Sequence, residues 1–188
     1  MIKVTKYIGI VFFVVAFFSI AAWAEKAPQK IFDMAEKVLA PIGSDPIIVK
    51  AVIEQNKLNI SLDEIKKKDD LWKNTPGIVD YMKAIMESEC GKHLRDIQSG
   101  KPYYSEIFVM DNQGANVAMT DKTSDFWQGD EAKFQKSFNN GAGAVFVDEV
   151  EFDDSTQTYL VQVSVPVVDG GKVIGAITFG IDVDKFDE

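Results

Sequence analysis

Residues 107–134 read IFVMDNQGANVAMTDKTSDFWQGDEAKF. Ile107 to Met110 has the composition of a strand, and Ala115 to Met119 that of a second. Asp111-Asn112-Gln113-Gly114 lies between them as a tight turn. Asp and Asn side chains support turns by bonding their own backbone, and Gly supplies a positive φ without steric cost. The hairpin leads into a polar segment that carries Asp125, Phe126, Trp127 and Asp130. Aromatic rings and carboxylates brought to one sheet edge build a wall for a small molecule. Such a wall needs no catalytic apparatus.

Working outward, the apolar period is two from Tyr103 onward. Strands are predicted at 104–110, 115–120, 143–151, 158–167 and 172–182. Turns fall at Asn112 to Gly114, Asp153 to Thr156 and Asp169-Gly170-Gly171. A short helix at 130–139 separates the second and third strands. Short strands with hairpin links predict an antiparallel sheet.

Before Tyr103 the period is helical. Ile31, Met34, Ala35, Val38 and Leu39 recur at helical spacing, and Pro41 with Gly43 breaks or kinks that segment. Asp45-Pro46 restarts it, with Asp as N-cap and Pro at the first helical position. Ser61-Leu62-Asp63-Glu64 is a capping box before a charged helix that ends near Asn74. After the stop at Thr75-Pro76-Gly77, Ile78 to Gln98 reads as one helix, with Ile78, Met82, Ile85 and Met86 inward. Helices first and strands second predict an α+β fold with the helices on a sheet face.

Lys3 and Lys6 precede an apolar run of 13 residues, Ile8 to Ile20, shorter than the roughly 20 of a membrane span. Ala22-Trp23-Ala24 is a small-x-small cleavage site. Residues 1–24 therefore read as a secretory signal peptide, cleaved before Glu25, which places the protein in the periplasm or outside the cell. The alternative is an uncleaved membrane anchor, since Tyr7 to Ala24 is 18 apolar-leaning residues. Residues 25–188 suit a single domain, with a helical part at 25–102 and a sheet part at 103–188. Net charge is −9, and loss of Lys3 and Lys6 makes it more negative by two. A chain this acidic repels the phosphates of nucleic acid.

The blocks DPIIVKAVIEQN, SLDEIKKKDDLW, FVMDNQGANVAMT, TSDFWQGDEAKF, YLVQVSVPV and GGKVIGAITFGIDVD, in that order, carry a family resemblance. The chain resembles the Cache domains, extracellular PAS-like sensors of bacterial chemoreceptors, sensor kinases and cyclases. The resemblance covers nearly all of 25–188 and fits a single module. It implies a long N-terminal helix packed on one face of a five-stranded antiparallel sheet. It places a ligand pocket on the opposite face, roofed by the loop and short helix after the second strand. It also implies a non-catalytic sensor for a small polar metabolite that feeds chemotaxis or signal transduction through a transmembrane sensor or chemoreceptor. A homodimer through the surface of the long helix is a further expectation.

Two departures shape that expectation. Cache sensors usually continue into a second membrane span, whereas this chain stops at Glu188, so a stand-alone secreted module is expected. Amino-acid-binding members clamp the ligand carboxylate with an Arg near the aromatic block, a bidentate donor suited to that task. Here Arg95 is the only Arg, and the block holds Lys122 and Lys133 instead.

The last strand alternates. Val173, Gly175, Ile177, Phe179 and Ile181 form a packing face, while Ile174, Ala176, Thr178, Gly180 and Asp182 form a smaller, more polar one. In the strand before it, Tyr159, Val161, Val163 and Val165 oppose Gln162 and Ser164. Small side chains leave the volume a pocket needs; the bland reading is a solvated sheet side. The expected ligand-binding residues are Phe126 and Trp127 by apolar contact or cation–π attraction. Asp125, Asp130 and Asp182 would hold an amine, Lys133 a carboxylate, and Gln162 and Thr178 would provide polar contacts. Each has a structural alternative: the aromatics as core anchors, Asp130-Glu131 as a helix cap, Lys133 as a solvated lysine. The acidic run Asp148 to Asp154 lacks the spacing and Gly of an EF-hand. Cys90-Gly91-Lys92-His93 holds the single Cys and single His, too few for a metal site. No serine or cysteine has a triad setting around that His, and Gly141-Ala142-Gly143 is a turn and not a phosphate loop. No cofactor, metal or catalytic residue is expected. The competing class is an interaction protein that keeps the sensor fold with its pocket filled and docks on a receptor ectodomain.

Overall fold

The computed structural model describes residues 26–153 and 157–186. The expected signal segment 1–24 lies outside them, as does Asp154 of the acidic run.

Helix α1 (Gln29–Met34) runs through a π-helical turn, Ala35–Leu39, into α2 (Ala40–Ile42). Pro41 has no N–H to give the helix ladder, which accounts for a widened turn just before it. Asp45 then caps α3 (Pro46–Lys57), its Oδ1 accepting from Ile47 N at 2.8 Å. The capping box predicted at Ser61 and Glu64 opens α4 (Leu62–Asn74). The single helix expected at 78–98 is two, α5 (Asp80–Met86) and α6 (Glu89–Ser99). Ser88 makes the break, its Oγ accepting from Gly91 N at 3.0 Å as a fresh N-cap. Ile78, expected inward, is exposed because it precedes α5 instead of lying within a helix.

Strands β1 (Tyr104–Met110), β2 (Asn116–Met119), β3 (Phe146–Asp153), β4 (Thr158–Asp169) and β5 (Lys172–Asp182) form one antiparallel sheet in the order β2-β1-β5-β4-β3. The opening hairpin forms as read. Asp111 Oδ1 accepts from Gln113 N at 2.8 Å and from Ala115 N at 3.0 Å. Gly114 sits at φ +85°, and a Cβ there would lie 2.5 Å from Gly129 Cα. Both the turn and the approach of the following segment therefore require glycine.

Each sheet face has its own core. Ile107, Val109, Val161, Val163, Val165, Ile177, Phe179 and Ile181 pack against Ile31, Leu39, Ile48, Val52 and Leu94 of the helix layer. The predicted alternation of the last two strands therefore holds through their middles. Ile174 departs from it and joins the helix-side core, near the register shift between Val167 and Val168. Tyr159 also departs: it is exposed and meets Phe152 edge-on at 5.2 Å at the end of the β3–β4 hairpin. On the distal face, Phe108, Met110, Met119 and Ala176 meet Ile65 and Trp72 of α4, Met82 of α5, Phe126, and Phe134 of α7 (Ala132–Phe138). A last turn, α8 (Val183–Phe186), follows β5.

Candidate functional site

The distal face is filled toward β2 and open toward β3. In the open part lies a hollow of about 360 Å³. Glu106 and Phe108 of β1 and Gln162 of β4 line it from the sheet. Lys122, Thr123, Ser124 and Gln128 line it from the segment after β2, and Lys133 of α7 with Asp153 of β3 from the side. A second hollow of about 310 Å³ shares Lys133, Asp153 and Gln162, and adds Glu131, Asp148, Glu149 and Glu151.

Sheet register explains the open space. Glu106, Gly180 and Gln162 lie side by side across three strands, as do Phe108, Thr178 and Ser164. A Cβ on Gly180 would come within 2.6 Å of Glu106 Cγ, so the glycine lets the glutamate lie across the sheet. Gln162 Nε2 donates to Glu106 Oε1 at 3.2 Å. Burial pushes the Glu106 carboxyl above the ordinary carboxylate range, against the opposing influence of Lys133 and of the Gln162 amide. Ser164 and Thr178, both fully buried, share a hydroxyl hydrogen bond of 2.8 Å.

The roof is held from α4. Asp69 is 4% exposed, and its Oδ1 accepts from the backbone of Phe126 at 2.8 Å and of Trp127 at 3.0 Å. Lys73 bridges Asp69 at 2.7 Å and Asp125 at 2.9 Å. Those two hydrogen-bonded carboxylates push the Lys73 ammonium above its ordinary range. Gln128, 1% exposed, donates its Nε2 to the Asp125 carbonyl at 2.9 Å.

Of the residues expected from sequence, Lys133 and Gln162 line both hollows, and Thr178 lies in the row of Phe108. Thr178 itself is fully buried, and like it the other five line neither hollow. Phe126 is buried against Trp72, ring centroids 5.7 Å apart. Trp127 donates its ring N–H to the Gln113 carbonyl at 2.8 Å and bridges Ala115, so it fastens the segment to the hairpin turn. Asp125 is engaged by Lys73. Asp130 is exposed ahead of α7; Glu131 takes the N-cap position without a side-chain bond and pairs with Lys133 at 2.9 Å. Asp182 is 1% exposed and accepts from the backbone and ammonium of Lys185, at 3.1 and 2.8 Å. Burial would raise its pKa, but the Lys185 contacts hold it below the ordinary carboxylate range.

Sequence reading passed over Asp69, Glu106 and Gln128. Two of them had a signal. Asp69 falls on the stripe of Ile65 and Trp72, and Glu106 is in phase with Phe108 and Met110. A charged residue in step with a buried face marks a partnered or functional position.

No family model matches the chain, and no curated protein matches it. Solved structures do. The sensor domain of the Vibrio cholerae histidine kinase DctB is 11% identical, with a TM-score of 0.43 over 85% of this chain and 52% of that one. The ligand-binding domain of the Campylobacter jejuni chemoreceptor Tlp3, in complex with 4-methylisoleucine, is 16% identical, with a TM-score of 0.41 over 82% and 59%. That of the Pseudomonas aeruginosa amino-acid chemoreceptor PctC, in complex with GABA, is 10% identical, with a TM-score of 0.37 over 83% and 61%. The chain thus spans between half and two thirds of the length of these domains. No helix among the described residues is long and apolar enough to cross a membrane. The helix layer on one sheet face, the five-stranded antiparallel order β2-β1-β5-β4-β3 and the roofed opposite face give the chain the α+β arrangement expected from its sequence.

Proposed function

We propose that the chain is a non-catalytic sensor module that binds a small polar metabolite in the roofed hollow and acts through a membrane-bound partner. The observation that carries this reading is Glu106, a half-buried glutamate whose partly desolvated carboxyl stands in the wall of a polar hollow, on a sheet face that is otherwise closed by apolar packing. A folded domain keeps such a group where a ligand compensates it. The sole His supports the non-catalytic reading, because His93 bonds Asp45 in the helix layer, 3.0 Å away, and does not line the hollow. Placement in the periplasm or outside the cell rests on the signal pattern of residues 1–24. Pairing of two copies along the first helix belongs to the same reading, with Val38 as a half-exposed apolar contact.

Thermal shift against a panel of small amines, amino acids, carboxylates and sugars tests the reading. A ligand at about 100 times its Kd adds about 2.7 kcal/mol, a shift of several degrees. Gln162→Ala should blunt the shift while leaving the unliganded protein folded. If no compound raises Tm, the sensor reading fails.

A second reading has an observation of its own. Trp72, Met82, Met110, Met119 and Phe126 fill the distal face toward β2. A sensor fold filled in this way could serve as a docking module for a receptor ectodomain. Ligand-free binding to a purified ectodomain, unchanged by Gln162→Ala, would favour it.

A further inference from the structure

The polar groups around the first hollow differ in whether they already have partners. The donors do. Lys122 Nζ gives hydrogen bonds to the carbonyls of Thr75 at 2.8 Å and Gly77 at 3.0 Å. Lys133 Nζ is paired with Glu131. Thr123 Oγ1 donates to the Asp125 carbonyl at 2.7 Å, and Ser124 Oγ to the Asp125 carboxylate at 2.9 Å. The single guanidinium, on Arg95, is committed to the Met86 carbonyl and to Glu87.

Two acceptor oxygens of the lining, on Glu106 and Gln128, lack a donor among the described residues. Glu106 Oε1 receives the Gln162 amide at 3.2 Å, and no described residue donates to Oε2. The Asp125 carbonyl can only accept, so it fixes the Gln128 amide with Nε2 toward it. Gln128 Oε1 is then buried without a donor among the described residues. An acceptor buried without a donor is unfavourable and calls for an occupant that donates. Asp148, Glu149, Glu151 and Asp153 around the adjoining hollow make the surroundings attractive to positive charge. The ring of Phe108 offers the ligand an apolar surface, and its face already has Lys133 Nζ at 5.5 Å.

Resting on the sensor reading above, we propose that the ligand is a small aliphatic ammonium compound without a carboxylate. Its N–H groups donate to Glu106 and its alkyl part lies against Phe108. A carboxylate-bearing ligand would meet acidic walls and lysines already paired, Lys133 with Glu131 and Lys122 with two backbone carbonyls. The raised Glu106 pKa agrees with this assignment, since a bound ammonium stabilises the ionised carboxylate and drives proton release on binding.

Isothermal titration of the purified protein with n-butylamine, diaminobutane, γ-aminobutyrate, butyrate and butanediol tests the assignment. The two amines should bind; butyrate and butanediol should not. Glu106→Gln should weaken the amines at least about tenfold. Circular dichroism reports whether Glu106→Gln folds; should it fail, Glu106→Asp, which retracts the carboxylate, is required to weaken amine binding. The assignment is overturned if butyrate or γ-aminobutyrate binds as tightly as the amines. It is also overturned if Glu106→Gln leaves amine affinity within about twofold. Failure of all five probes alongside a hit in the wider thermal-shift panel sinks the amine assignment and leaves the sensor reading standing. Failure of the wider panel as well sinks both.

Discussion

Asp69 of α4 accepts the backbone N–H of Phe126 at 2.8 Å, joining residues 57 apart in sequence. The same oxygen accepts from Trp127 N, and Lys73 balances the charge. Asp69→Ala would leave two N–H groups without an acceptor, that of Phe126 buried. The expected loss is about 2–4 kcal/mol of stability, with Asp69→Asn losing less because it keeps an acceptor. Urea unfolding of the three proteins measures this. Coincident midpoints would show that the roof is held by its apolar contacts alone.

Glu106 makes stability depend on pH with a definite sign. Its carboxyl titrates higher in the folded than in the unfolded chain, because burial outweighs Lys133 and Gln162; Asp121 and Asp153 push in the same direction as burial. Between the ordinary value and the raised one, the unfolded state holds fewer protons, so stability falls as pH rises through that window. Glu106→Gln removes this term. The variant should be more stable than wild type at about pH 8 and closer to it at about pH 4, read from urea midpoints at both. A wild-type advantage at the higher pH would mean that the ionised carboxylate is well compensated in the unliganded protein.

Trp127 tests whether the aromatic block touches ligand. Its ring N–H is bonded to the Gln113 carbonyl at 2.8 Å and its backbone pairs with Ala115. Trp127→Phe should cost about 1 kcal/mol, the value of that hydrogen bond, and leave the affinity for ligand unchanged. A stable Trp127→Phe protein that has lost ligand affinity would return the indole to the site.

Cys90 is 3% exposed, and burial pushes its thiol up to about 12, with Asp45 and Glu89 adding to the shift. The thiolate is the reactive form. Iodoacetamide at about pH 8 should therefore leave the folded protein unmodified and label it fully in urea, as mass spectrometry would show. Rapid labelling of the native protein would mean that α6 opens readily.

Local chemistry made the framework legible. The capping box at Ser61 and Glu64, the Asp45-Pro46 start and the Asp111 to Gly114 turn are each set by neighbouring residues, and each forms where it was read. The break at Ser88 escaped notice because Met86 and Cys90 keep the helix apolar on both sides, and a serine shows its capping role only when its hydroxyl reaches Gly91 N. The hollow was harder to read. Its segment after β2 has no periodicity to say which way Phe126 and Trp127 turn, so their chemistry suggested a ligand while their contacts are with Trp72 and the hairpin. Glu106 and Asp69 were hidden for the opposite reason. Each sits in a regular element, where a lone acid is easily taken for a solvated one.

The fit of Glu106 over Gly180 ties two positions that are 74 residues apart by number. A methyl at Gly180 would collide with Glu106 Cγ at 2.6 Å, while an aspartate at 106 would no longer reach across the bare backbone. Neither position can drift freely while the other stays fixed. In a lineage of related chains the two should change together, and a designer retuning the hollow would have to redraw both at once.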